Sequence, residues 1–435
     1  MTHEKGNIGE EFVNEIAYKS ILNFWCYPSP KDEKGDKKEI CDLLILFKTN
    51  AIIISVKNYE FKDKYSRYFR KTIDKAVSQI YGAERKLFMS NRDVFIKHPK
   101  REIERFEPYK YSKTYRIIVN LGEGVKFYPL SQKSKNDGFI TLFDKDSFKT
   151  IMEELDTIPD LIDYLNKREI LFHDKEVIAL PGKEDDFPID TAFQFHEYAL
   201  EKMDPSKGSS ILLSGTEYDL LASFIMNERK FPDHLTSKEY DSTYIQIDGK
   251  WDDFLARKQV KFKKSLDEKS YFIDQLVEKE ILIHKDKRSL LLAEELMSFS
   301  RFERRSITES FFDFYSENEE KKGEWFARRY GDFNSIGIVF CYYTEETPND
   351  MVNTLMSIAL ESFIMYSNYK HEKMIIIATT FKMKQFKMGI QPNVEKFPKE
   401  YENQIKKDVK TLGWFTNYQA YKVTAHEYPE INEEE

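Results

Sequence analysis

The sequence predicts a mixed α/β protein: two α/β parts with a mainly helical stretch between them. Three observations lead to this class. Nearly uncharged, β-branched runs at 41–47 and 51–56 are followed by segments whose apolar residues recur every three or four positions. The same alternation returns in the last quarter, at 335–342, 348–366 and 374–380. Between them, 252–280 and 293–315 are heavily charged and helix-favouring. The expected divisions are 1–165, a mainly helical middle region at 166–330, and a C-terminal α/β module of unknown role at 331–435.

The chain has 435 residues, 41% hydrophobic and 33% charged, the balance of a folded globular protein rather than a disordered one. No apolar run approaches the roughly 20 residues that span a bilayer. Residues 1–6 lack the apolar core of a signal peptide. Cys26, Cys41 and Cys341 are too few and too scattered for a disulfide framework or a zinc site, so a cytoplasmic location is expected. A net charge of −8 excludes a uniformly basic nucleic-acid coat. The charge is uneven, however. Residues 1–115 hold 23 lysines and arginines against 17 acidic residues, a net of +6, so the remainder carries −14. Contact with a polyanion is therefore expected in the first quarter, a chance fluctuation of charge being the alternative.

In chain order, 7–23 reads as a helix with Ile8, Phe12, Ile16 and Leu22 on one face. Glu10, Glu11 and Glu15 lie in its first turns, where the helix dipole favours anions. A short strand at 24–27 and a charged loop at 31–38 lead to a hairpin, 41–47 and 51–56, turning at Lys48-Thr49-Asn50. Next come Lys62, Lys64, Arg67, Arg70 and Lys71, interleaved with Tyr65, Tyr68 and Phe69. That mixture suits phosphate contact with base stacking; a solvated helix face is the other reading. Ile73, Ala76, Val77, Ile80, Ala83 and Leu87 give 72–89 a helical period, with Gln79 in its middle, and 91–113 is polar. Strands at 115–121 and 139–143 and helices at 146–155 and 159–167 complete the first part. Beyond it, a strand is expected at 176–182 and helices at 191–202, 216–229, 252–280 and 293–315, with Arg301, Arg304 and Arg305 on a solvated face. A helix at 400–412 and a strand at 418–424 follow.

The hairpin carries the candidate chemistry. Asp42 is a carboxylate inside an apolar strand, where an uncompensated charge is costly. Lys57 ends the partner strand, so an antiparallel pairing brings the two together, with Glu39 just upstream. Hard oxygen ligands beside a cation suit Mg²⁺ or Mn²⁺ held against a phosphate. Asp42 would ligate the metal, the backbone carbonyl of Val56 would be a further ligand, and Lys57 would orient water or stabilise charge on phosphorus. The plain alternative is that Asp42 pairs with Lys57 or caps a backbone group.

A helix with Glu10, then Glu39-x-x-Asp42, a hairpin, Ser55-x-Lys57 and a helix with Gln79 resembles the PD-(D/E)XK nuclease superfamily, the restriction-endonuclease-like fold. The resemblance covers roughly residues 6–145 and implies an N-terminal α-β-β-α-β core. It implies Asp42 as the metal-binding aspartate, Lys57 as the catalytic lysine, Glu10 as a helix-one glutamate and Gln79 as a downstream helix glutamine. The family pattern has an acid where this chain has Ser55. Either Glu39 or Glu10 supplies the missing charge, or the site is degenerate and the domain acts as a nucleic-acid-binding or scaffold subunit. The resemblance implies a Mg²⁺-dependent endonuclease acting on DNA rather than RNA. Pairing such a core with an accessory region is typical of restriction and anti-phage nucleases. Cutting both strands suits a homodimer, or a partner protein of a defence system.

Overall fold

The hairpin at the start of the chain forms, and it sets the centre of the first sheet. The computed structural model describes residues 2–19, 23–62, 64–122, 131–133, 138–172, 175–180, 194, 197, 209–231, 242–416 and 426–429. The class is mixed α/β, with two compact units, Met1–Arg257 and Lys258–Glu435. The expected middle region is thus shared between the units.

In the first unit, α1 (Thr2–Lys19) precedes β1 (Cys26–Pro28), β2 (Leu43–Phe47) and β3 (Asn50–Lys57). A helical run follows: α2 (Tyr65–Phe69), a π-helical turn (Arg70–Asp74) and α3 (Lys75–Phe88). The strands β4 (Phe95–Lys97) and β5 (Ile103–Arg105) form a separate hairpin inside the stretch that its polarity marks as loop. Then come β6 (Lys113–Asn120), β7 (Ser131–Lys133) and β8 (Phe139–Asp144). The six-stranded sheet has the order β1-β2-β3-β6-β8-β7. Strand β2 runs antiparallel to both β1 and β3, whereas β6 runs parallel to β3 and β8 parallel to β6.

Residues Ala51 to Ile54 of β3 are all buried, as expected of a strand covered on both faces. Alternation divides the side chains. Leu44, Leu46, Ala51, Ile53, Ile118, Ile140 and Leu142 meet Ile73, Ala76, Ile80, Ala83 and Leu87 of the helical run. A second aromatic group, Phe12, Phe143 and Phe148, joins α1, β8 and α4 (Lys145–Leu155), with ring centroids 6.1 Å and 5.8 Å apart. On α1, Phe12, Val13 and Ile16 are buried but Ile8 is 45% exposed, so the apolar stripe is shorter than its spacing suggests.

After α5 (Ile158–Phe172), three parallel strands form a sheet of order β11-β10-β9: β9 (Lys175–Leu180), β10 (Ser209–Ser214) and β11 (Ser242–Gln246). Here also lie α6 (Glu217–Met226) and α7 (Lys250–Ala256). The middle region is therefore less purely helical than its composition implies, and the helix expected at 191–202 falls outside the described residues. Arg168 of α5 and Glu217 of α6 form a fully buried bidentate pair, 2.9 Å on each arm, and Tyr164 donates to the same carboxylate at 2.6 Å.

The second unit begins with α8 (Lys258–Asp267), α9 (Tyr271–Leu276), α10 (Lys287–Leu296) and α11 (Arg301–Asn318). Its four-stranded sheet has the order β12-β13-β14-β15: β12 (Phe326–Phe333), β13 (Ile336–Tyr343), β14 (Lys373–Thr379) and β15 (Phe386–Gln391). The apolar strands β13 and β14 are central and parallel, joined through α12 (Asn349–Tyr366). The half-exposed edges β12 and β15 carry charges such as Arg328, Arg329 and Lys387, which hides them from a search for apolar runs. With α13 (Lys399–Thr411), α12 covers one face of the sheet. The strand expected at 418–424 lies outside the described residues.

Arg301, Arg304 and Arg305 overturn one expectation. All three are buried rather than solvated. Arg301 and Arg304 each reach Asp274 at 2.8 Å, Arg305 reaches Asp267 at 3.1 Å, and Arg304 also donates to the carbonyls of Met297 and Phe299. Carboxylates and carbonyls supplied by neighbouring elements offset the desolvation that a charge pattern alone cannot anticipate.

The Arg168–Glu217 pair yields a stability prediction. Glu217→Gln strands a buried guanidinium and is expected to cost roughly 3–5 kcal/mol. Hydrogen exchange of the full chain would read this as faster exchange in α5 and α6; unchanged protection there would contradict it.

Candidate functional site

The site grows out of strand register. Leu43 pairs with Ile54, which places Asp42 opposite Ser55 one step further along. Ile53 belongs to the core beneath α3, and alternation puts Ser55 and Lys57 on that same face. Lys57 pairs with Asn120 of β6, which pairs with Asp144 of β8. Asp42, Ser55 and Lys57 therefore stand where the parallel strands end, the edge at which open α/β sheets commonly bind ligands.

Asp42 Oδ2 accepts the Val56 N–H at 2.7 Å and the Ser55 hydroxyl at 3.1 Å, and lies 3.7 Å from Lys57 Nζ. Lys57 Nζ donates to Ser55 Oγ at 2.7 Å and to the Val56 carbonyl at 2.9 Å. From α3, Gln79 Oε1 lies 3.3 Å from Ser55 Oγ. Asp42, Ser55, Val56, Lys57 and Gln79 are thus gathered at one point. Asp42 both pairs with Lys57 and caps a backbone N–H, so the plain structural role is fulfilled alongside any chemical one. Ser55 is 2% exposed and lies between carboxylate and ammonium, hydrogen-bonded to both.

Burial is the largest influence on Lys57 and lowers its pKa; the Lys75 ammonium acts the same way, while Asp42 and Glu39 oppose it. Glu39 reaches solvent, yet the surrounding protein crowds its carboxyl enough to raise its pKa. Asp42 and Glu10 push that pKa the same way, and Lys31 and Lys57 push against it. Glu39 and Glu10 thus lie within electrostatic reach of the site, on exposed side chains, but not in hydrogen-bond contact with Asp42. Glu15 is in a surface pair with Lys149 at 3.7 Å.

The basic stretch divides. Lys62, Lys64, Arg67, Arg70 and Lys71 are exposed, and the Arg70 side chain donates to the Ser66 carbonyl at 3.1 Å. Tyr68 and Phe69 do not serve base stacking: both are 1% exposed and pack in the core beside Tyr59 and Phe61. The Tyr65 side chain lies outside the described residues. Asn120 Nδ2 donates to Tyr68 Oη at 2.7 Å, tying this stretch to the end of β6. A Cβ at Gly122 would stand 2.1 Å from the Tyr59 carbonyl oxygen, so only glycine lets the chain leaving β6 pass there. Sequence reasoning missed Asn120 and Lys75. The available signal for Lys75 was its place four residues before Gln79, on the same helix face.

Among the described residues, no group of three or more His, Cys, Asp or Glu side chains is gathered around one point. The hydrogen bonds at the Asp42 carboxylate fall on Oδ2, leaving Oδ1 for a ligand; the Val56 carbonyl keeps a second lone pair. Mg²⁺ retains several waters and takes one or two carboxylates, its shell being completed by substrate phosphate. Asp42, the Val56 carbonyl and a swung-in Glu39 fit such an open site and do not fit a closed structural one.

The chain matches no family model, no curated protein and no solved structure. Among the described residues, no helix is long and apolar enough to cross a membrane.

The buried lysine sets a pH dependence. A folded pKa below the unfolded value means the unfolded chain holds more protons between the two, so stability rises with pH there. Lys57→Met removes that penalty. The stability difference between the variant and the unaltered chain should therefore shift in favour of the unaltered chain as pH rises toward 10.5, the ordinary lysine value. Thermal unfolding of both across that range checks it, and a pH-independent difference would contradict it.

Proposed function

We propose that the Met1–Arg257 unit hydrolyses nucleic-acid phosphodiesters with Mg²⁺ or Mn²⁺, as a PD-(D/E)XK-type endonuclease acting on DNA before RNA. The observation that carries this reading is the meeting of Asp42, Lys57 and Gln79 where β3 ends beneath α3. The antiparallel β1-β2-β3 meander followed by a parallel β6 supports it, since this arrangement aims those side chains at one sheet margin. Asp42, the Val56 carbonyl, Glu39 and Glu10 would hold the metal, whose charge polarises the phosphate and acidifies a bound water. Asp42 fixes the carboxylate position. Lys57, partly desolvated and held by Ser55 and Val56, presents a cation to charge developing on phosphorus. Lys62, Lys64, Arg67, Arg70 and Lys71 present exposed charge on the stretch that follows, suited to the phosphate backbone. In this reading the protein is a restriction or anti-phage effector, working as a homodimer or with a defence partner, in the cytoplasm. The Lys258–Glu435 unit senses the target or controls the cut.

A second reading is favoured by Ser55. With a neutral residue there and, among the described residues, no second carboxylate in contact with Asp42, the unit would bind nucleic acid, or serve as a scaffold, without cutting it.

Plasmid nicking and linearisation separate the two. Cleavage that needs Mg²⁺ or Mn²⁺, stops on chelation and falls on the order of 100-fold or more in Asp42→Ala and Lys57→Ala is expected for the nuclease. Equal cleavage by all three chains would remove the assigned site. DNA binding without cleavage, converted to cleavage by Ser55→Glu, would establish the second reading.

A further inference from the structure

The helical run above the site carries cations that the hairpin chemistry does not use. Lys71, Lys75 and Gln79 follow one another at four-residue steps across the π-helical turn and the start of α3, so they share one side of the run. Gln79 fixes where that side faces, because its amide oxygen reaches Ser55 in the site. Thr72, Ile73, Ala76 and Ile80 hold the neighbouring side against the sheet. That leaves Lys71 and Lys75 exposed beside the sheet margin rather than far from it. Lys75 is the next step up from Gln79, whose amide oxygen reaches Ser55, the same residue that holds Lys57 Nζ at 2.7 Å. Among the described residues, neither Lys71 nor Lys75 has a carboxylate within ion-pair distance, unlike Lys86 further down the same helix, which pairs with Asp36 at 2.7 Å.

An exposed ammonium with no carboxylate partner, beside a second ammonium whose one carboxylate stands 3.7 Å away, favours an anion between them. We propose that Lys75 and Lys57 together grip the phosphodiester being cut, and that Lys71, one turn further along, takes the adjoining phosphate of the same strand. This deepens the nuclease reading and rests on it. It also gives Ser55 a rationale. With one lysine, a second carboxylate at position 55 would balance a metal; with two lysines, part of the positive charge normally brought by metal is already in the protein. Lys75 touches substrate in this arrangement.

Binding of a fluorescent DNA duplex by the full chain, in Ca²⁺ so that cleavage does not interfere, tests the grip. Lys75→Gln should weaken binding and reduce the slope of log K against log salt by about 1, as expected for one lost phosphate contact. Lys75→Arg should restore the slope, and Lys97→Gln, on β4, should leave it unchanged. An unchanged salt slope in Lys75→Gln, with binding intact, overturns the role of Lys75 while sparing the nuclease reading. A duplex that the unaltered chain does not bind at any salt overturns both.

Discussion

The register of one β-hairpin is the constraint on which the site depends. Leu43 opposite Ile54 forces Asp42 opposite Ser55, and strand alternation then sets Lys57 on the same face. A one-residue slip of β3 against β2 would carry Ser55 and Lys57 to the other side of the sheet, away from Asp42 and Gln79. The slip is resisted because Ala51 and Ile53 are buried beneath α3 and would have to leave that core with them. Apolar burial, which has no chemistry of its own, thus positions the polar groups that do.

The next requirement is electrostatic. Lys57 is held largely out of water, which favours its neutral form, and Asp42 and Glu39 only partly offset this. Ser55 resolves the conflict by geometry: its hydroxyl donates to Asp42 and its oxygen accepts from Lys57. A carboxylate at that position would pair with Lys57 more strongly and repel Asp42. The serine keeps carboxylate and ammonium close, at 3.7 Å, without collapsing them into a direct hydrogen bond. Such a pair remains open to exchange partners with an incoming phosphate or cation.

Much of this was legible in the residues. The hairpin, the helix bearing Gln79 and the strands at 115–121 and 139–143 are marked by apolar runs and helical spacing that burial then uses. The approach of Asp42 to Lys57 follows from antiparallel pairing alone. What stayed hidden has a common cause: it depends on a partner distant in sequence. The buried arginines of α11 are stabilised by Asp267 and Asp274 from other helices. Tyr68 looks like a stacking residue until Asn120 and Phe61 enclose it. The edge strands β12 and β15 are strands because β13 and β14 offer them partners, not because of their own composition. Glu39 and Glu10, read from sequence as ligands, sit on exposed side chains whose approach to Asp42 requires rotation.

That rotation bears on how the charges at the site balance. Asp42 and Lys57 nearly cancel, leaving Lys75 as the uncompensated neighbour. A site in this state attracts an anion before it attracts a metal. Under the proposed function, a seated phosphodiester, with its single negative charge, would offset Lys75 and leave the site near neutral, so that a divalent cation at Asp42 Oδ1 and the Val56 carbonyl would no longer be repelled and Glu39 could swing in. On that reading charge would set the order, nucleic acid first and metal second, and metal affinity would belong to the complex with nucleic acid rather than to the protein alone; among the described residues, Asp42 is the carboxylate held by hydrogen bonds in the rigid part of the site.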